Sequence, residues 1–133
     1  MKAVGFAPGH ISAFFEPIFN ARDLDRCGSR GAGIATALGA TSSVAIDSAS
    51  NQDIQVFIND KLSPAPVTKL AIKHLIRDSA AIVKVNTNLA LPMGQGFGMS
   101  GAGALSTTLA LAKLLGLPQE AGMKAAHLSL IHI

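Results

Sequence analysis

Val83, Val85, Thr87, Leu89 and Leu91 alternate with polar neighbours, the period of a half-buried strand, and they run straight into a glycine-rich stretch. Ile54, Val56 and Ile58 alternate in the same way and predict a second such strand, with Asn59-Asp60 supplying the turn behind it. Residues 2–7 alternate weakly and suit a first strand ended by Pro8-Gly9. Phe14, Phe15, Pro17, Ile18 and Phe19 then follow without clean periodicity, as in a loop. Residues 31–47 carry Gly31, Gly33 and Gly39 among small and β-branched residues, which predicts a twisted or bulged strand. Pro64 and Pro66 precede a helix over residues 67–77, its inward face Val67, Leu70, Ala71 and Leu75, its outward face the basic stripe Lys69, Lys73 and Arg77. Residues 100–115 hold one charged side chain, Lys113, and are apolar on most sides, which predicts a buried helix stopped by Gly116 and Pro118. A further helix begins near Gln119. The order β-β-β-α-β-loop-α-α describes an α/β or α+β domain with the glycine stretch between its last strand and a buried helix.

Composition narrows the class. At 133 residues there is room for one core, and 49% apolar against 14% charged residues excludes a disordered chain. A net charge of +3 with no Trp or Tyr lacks the dense basic patch and stacking aromatics of a nucleic-acid binder. Cys27 is the single cysteine, so an internal disulfide is impossible, and a small structural role suits it better than a reactive one. Gly5, Pro8 and Gly9 interrupt what would be the apolar run of a signal peptide, and no run is long enough to span a membrane. A cytoplasmic protein is expected. Residues 128–133, Leu-Ser-Leu-Ile-His-Ile, match the translation of a widely used sequencing adapter. They are therefore expected to be a non-native tail, with the natural domain covering residues 1–127, a longer parent protein, and no chemical role for His132.

The candidate chemistry lies in residues 92–104. Pro92 and Met93 lead into Gly94-Gln95-Gly96-Phe97-Gly98, and Met99, Ser100, Gly101 and Ala102 open the buried helix. Alternating glycines permit backbone angles closed to other residues and leave no side chain in the way of a ligand. Successive N–H groups of such a loop, with the helix start behind them, make a cradle for phosphate. A Walker loop is excluded, since no lysine lies between Lys84 and Lys113. A dinucleotide fingerprint is excluded too: the loop comes late, and Glu120 is the only acidic residue after it.

The pattern Pro92-x-Gly94-x-Gly96-x-Gly98-x-Ser100-x-Ala102 resembles the second motif of the GHMP small-molecule kinases. Phe6-Ala7-Pro8-Gly9-His10-Ile11-Ser12 with Phe14-Phe15-Glu16-Pro17 resembles their first motif, in the form of the pantoate kinases of archaeal coenzyme A biosynthesis. Gly28-Ser29-Arg30-Gly31-Ala32-Gly33-Ile34 is similar to a further stretch of that branch, and Ala125-Ala126-His127 fits the start of the helix that follows.

The resemblance implies an α+β fold, the GHMP kinase N-terminal domain with a left-handed βαβ unit of the ribosomal-protein type, here incomplete. It implies ATP and Mg²⁺ as cofactors, with Pro92, Gly94, Gln95, Gly96, Phe97, Gly98, Met99, Ser100, Gly101 and Ala102 around the nucleotide and Ser100 at the metal. Ser100 is also a candidate for capping its helix. The acceptor would be a small molecule, pantoate in this branch, yielding 4-phosphopantoate. Arg30 would meet its carboxylate, Glu16 a hydroxyl, and His10 the position where many members carry Lys or Arg; each of the three also reads as a structural or surface residue. The family's catalytic aspartate is expected beyond the end of this chain, which makes the fragment inactive. A full-length member is compatible with a homodimer. Other acceptors (homoserine, shikimate, mevalonate, a sugar) and a non-catalytic nucleotide-binding module remain alternatives.

Overall fold

Strict alternation makes β5 (Ala81–Leu89) the middle of the sheet: Ala81, Val83, Val85 and Thr87 are buried, while Lys84, Asn86 and Asn88 are exposed. β5 pairs antiparallel with β2 (Gly28–Ser48) and parallel with β3 (Asp53–Ile58). β1 (Lys2–Ile18) extends the sheet beyond β2, and the short β4 (Lys61–Ser63) closes a hairpin with β3, giving the order β1-β2-β5-β3-β4. This computed structural model describes residues 1–131. Asn59 and Asp60 both take left-handed angles in the hairpin turn between β3 and β4, the conformation a two-residue turn demands and one that Asn and Asp tolerate.

Two helices, α1 (Pro66–Ile76) and α2 (Met99–Leu114), cover one face of the sheet, and α3 (Gln119–Ile131) packs on both of them. α1 crosses between the parallel strands β3 and β5 and forms the βαβ unit with them. Ile72 and Ile76 enter the main core with Val44, Val56, Val83, Val85 and Leu111, while Ala71 meets Ala104 and Ala126 of the other helices. The buried face of α1 is thus turned from the one the sequence predicts. Val67, Leu70 and Leu75 are half-buried because α1 is wedged between the sheet and α3, with two contact faces rather than one stripe. α2 is buried on nearly all sides, as its composition requires. It ends at Gly116, whose φ of 69° lets the Leu117 N–H reach back to the Ala112 carbonyl at 2.9 Å.

The first strand departs from expectation. Pro8-Gly9 does not end it, and Phe14, Phe15 and Pro17 lie in strand rather than loop. Register shifts between Pro8 and His10 and between Ser12 and Phe14 let β1 and β2 continue as a two-stranded arm to the pair Ile18–Gly28. β1 is an edge strand, where proline is tolerated. Glycines opposite it allow the close approach: a Cβ at Gly31 would strike the Phe14 carbonyl and the Phe15 backbone. The arm tip carries a 3₁₀ turn at Leu24–Arg26 and is clasped by Cys27, which takes an N–H from Asn20 and returns its thiol hydrogen to the Asn20 carbonyl, both at 3.2 Å. Lys124 of α3 holds the tip through Asp25 at 3.2 Å. Leu128–Ile131 of the adapter-like segment continue α3, and His132 and Ile133 lie outside the described residues.

Candidate phosphate cradle and nucleotide cavity

Met99 anchors the glycine loop. It is buried with Ala7, Ala40 and Ala102, and Phe97, Leu89 and Leu91 pack around that cluster. Because Phe97 and Met99 turn inward, Gly94, Gly96 and Gly98 between and before them stand exposed. All three glycines have left-handed φ, at 70°, 86° and 67°, which a side chain would strain. A Cβ at Gly94 or Gly96 would meet nothing within 4 Å, so the concave side of the loop is open. The Phe97 carbonyl accepts the His10 N–H at 2.9 Å, which pins the loop to β1.

The helix start then decides which donors are available. Ala102 N–H already donates to the Gly98 carbonyl at 3.0 Å. Among the described residues no partner is found for the N–H groups of Gly96 through Gly101. Unpaired donors at the positive end of α2 form a concavity suited to phosphate oxygens. Ala102, 6% exposed, lies beneath them rather than in their row, so its expected contact with the nucleotide is limited to support. Phe97 and Met99 likewise offer backbone only. Ser100 is not the cap: Gly98 occupies the N-cap position and no side chain caps the helix. The exposed Ser100 hydroxyl is therefore free of a structural bond and stands in the first turn beside the open loop.

Beside the cradle lies a cavity of about 300 Å³, walled by Ile58, Pro64, Pro66, Val67, Leu89, Met93 and Met99, with Thr87, Ser100 and Gly103 on its inner side. The carboxyl ends of the parallel strands β3 and β5 open into it, the usual place for a ligand in parallel sheet. α1 and α2 both begin at its rim. Ala65, its N-terminal neighbour on α1, is held at φ 33°, a left-handed angle unfavourable for alanine. Sequence reasoning missed this cavity; the Pro64-x-Pro66 entry to α1 was its one local sign.

The three expected substrate contacts separate. His10 sits against the loop, its ring packed on Gly33, where a Cβ would collide with it, and its Nδ1 is 3.4 Å from Ser12 Oγ. Glu16 and Arg30 lie opposite each other farther out on the arm ladder. Among the described residues Arg30 has no ion-pair partner, and it lines a second, open cavity of about 920 Å³ with Arg26, Ser29, Cys27 and His127. Among the described residues no three His, Cys, Asp or Glu side chains gather as a metal site. No described helix is long and apolar enough to cross a membrane.

Residues 66–131 match the family model described as the GHMP kinases N terminal domain. The chain is 30% identical to a pantoate kinase of Methanospirillum hungatei over 138 aligned residues, covering 98% of this chain and 46% of that protein. It is 35% identical to a pantoate kinase of Thermococcus kodakarensis over 116, covering 84% and 38%. A solved structure described as a phosphotransferase related to the CoA biosynthesis pathway superposes with a TM-score of 0.87 at 31% identity, over 97% of this chain and 45% of that one. The chain thus spans less than half the length of the curated relatives it matches. With the five-stranded sheet, the parallel βαβ unit and the glycine loop in place, the chain belongs to the GHMP kinase family and carries that family's N-terminal domain.

Proposed function

We propose that this chain is the nucleotide-binding half of an ATP-dependent small-molecule kinase whose acceptor is pantoate, phosphorylated on its primary hydroxyl to 4-phosphopantoate in coenzyme A biosynthesis. The observation that carries it is the row of unpartnered N–H groups from Gly96 to Gly101 beside an apolar cavity. The row suits a polyphosphate and the cavity suits the flat, apolar faces of a purine. Mg²⁺ would be held by Ser100 and the phosphates, where it neutralises charge on the transferred group. His10, fixed on the loop by its own backbone, would meet the acceptor or the transferred phosphoryl. Arg30, whose planar fork matches a carboxylate, and Glu16 are our candidates for the acceptor's far end on the arm. Residues 1–127 form the native domain in this reading, the full-length enzyme is cytoplasmic, and this chain alone is inactive. The choice of pantoate over another alcohol is supported by the two curated pantoate kinases aligned along 84% and 98% of this chain. Transfer of labelled phosphate from ATP by the polypeptide that carries this domain with its second half tests the proposal. Turnover of pantoate is expected; turnover of homoserine, shikimate, mevalonate or a sugar with none of pantoate would replace the acceptor.

A further inference from the structure

Three directly paired residues, Gly5 of β1, Ser42 of β2 and Thr87 of β5, cross the sheet in one row beneath α2. Gly5 admits the helix closely, since a Cβ there would strike the Ser106 carbonyl. Ser42, fully buried, meets three hydroxyls: Thr87 at 2.8 Å, Ser106 at 2.7 Å and Thr107 at 3.1 Å. Ser106 and Thr107 reach in turn to the Gly103 carbonyl at 3.1 and 2.8 Å. A hydroxyl donates once and accepts twice, so Ser42 is saturated. Ser42 can accept from Thr87 and Thr107 and donate to Ser106, whose own hydrogen goes to Gly103, while the single Thr107 hydrogen is shared between Ser42 and Gly103.

Gly103 and Thr107 share a helix face with Ser100 at spacings of three and seven. Apart from Met99, Thr108 and Leu111, the other buried residues of α2 are alanines, whose burial is non-directional and constrains rotation about the helix axis less than larger side chains would. Directional bonds between buried groups supply what such packing lacks. We propose that Ser42 is a positioning residue for the phosphate cradle: its hydroxyl hub sets the rotation of α2 and so aims the free N–H groups and Ser100. A turn of about 20° would carry atoms lying ~3 Å from the axis through about 1 Å, and errors of that size cost on the order of a hundredfold in positioned reactions. The inference rests on the phosphate reading of the loop.

Calorimetric binding of inorganic triphosphate, Mg·ADP and adenosine to the 133-residue chain tests it, alongside Ser42→Ala, Ser42→Thr, Thr87→Val and, at the far end of α1, Ile76→Val. The parent should bind triphosphate; no binding would overturn the phosphate reading itself. Ser42→Ala should then lose roughly tenfold for triphosphate and Mg·ADP with adenosine unchanged, since Ser42 itself does not line the cavity. Ser42→Thr, which keeps the hydroxyl, should restore most of that loss. Ile76→Val should lower melting temperature without lowering affinity. Parent-like triphosphate affinity in Ser42→Ala, or an equal loss in Ile76→Val, would overturn the positioning role. If Ser42→Ala does not fold, Thr87→Val, which keeps the cavity wall and leaves every remaining hydroxyl hydrogen an acceptor, decides on the same triphosphate readout, with a loss of about threefold expected and none overturning the role.

Discussion

Ser100 is the residue on which the sequence and the structure differ most usefully. A serine at the head of a helix reads as a cap, and that reading fails because Gly98, in a left-handed conformation, already occupies the cap position. Removing the hydroxyl should therefore cost less than the ~1 kcal/mol of a lost cap. In the full-length enzyme Ser100→Ala should leave thermal stability nearly unchanged while lowering kcat/KM for Mg·ATP by tenfold or more, as loss of a metal–phosphate contact would. A fall in melting temperature with parent kinetics would reverse the assignment. Gly96 makes the complementary case. Space beside it is open, so Gly96→Val has room and costs the loop chiefly the strain of a left-handed valine, about 1–2 kcal/mol. The valine would stand in the concavity and should abolish ATP binding, measured by calorimetry on the folded variant. Loop and glycines were legible in the sequence because their chemistry is local. The free state of Ser100 was not, because helix registration by one residue depends on how Met99 seats in the core.

At the level of elements, β1 shows why periodicity alone fell short. Pro8 and Gly9 are loop signals in isolation, yet Gly9 is buried where β1 passes Leu91 and Met99, and the strand continues because β2 pairs with it, across two register shifts, as far as Gly28. Exposed Phe14 and Phe15 gave no alternation to read, since neither face of the arm is covered. Glycine content in β2 was legible as distortion, but its purpose was not, because the partner backbone lies 16 to 31 residues earlier in the chain. The seat of α2 offers a paired test. Gly5→Ala places a methyl against the Ser106 carbonyl and should destabilise the chain by about 2 kcal/mol, as overpacking does. Gly103→Ala meets only the Thr87 methyl at 3.9 Å and adds helix propensity, so it should stabilise by up to ~1 kcal/mol. Chemical denaturation of both variants checks the pair, and equal effects would show that α2 does not ride closest over Gly5.

Across the whole molecule, the cavity brings together two stretches of chain, residues 58–68 from the end of β3 to the start of α1 and residues 87–103 from the end of β5 to the start of α2. No local pattern announces such a convergence, which is why the cradle was legible and the adjoining cavity was not. The same geometry argues for what this chain does alone. Phosphoryl transfer needs a nucleotide held still, an acceptor hydroxyl in line and a group to orient or deprotonate it. In the proposed reading the loop meets the first requirement. Among the described residues no carboxylate lines the cavity, and the chain spans under half the length of the pantoate kinases it aligns with. Positioning supplies most of the rate in such reactions, so half a cleft should give little beyond the background. We expect the 133-residue chain to bind Mg·ADP yet transfer no phosphate to pantoate, assayed at a purity that excludes host kinases. Steady turnover that Gly96→Val abolishes would instead place the whole catalytic apparatus within these residues.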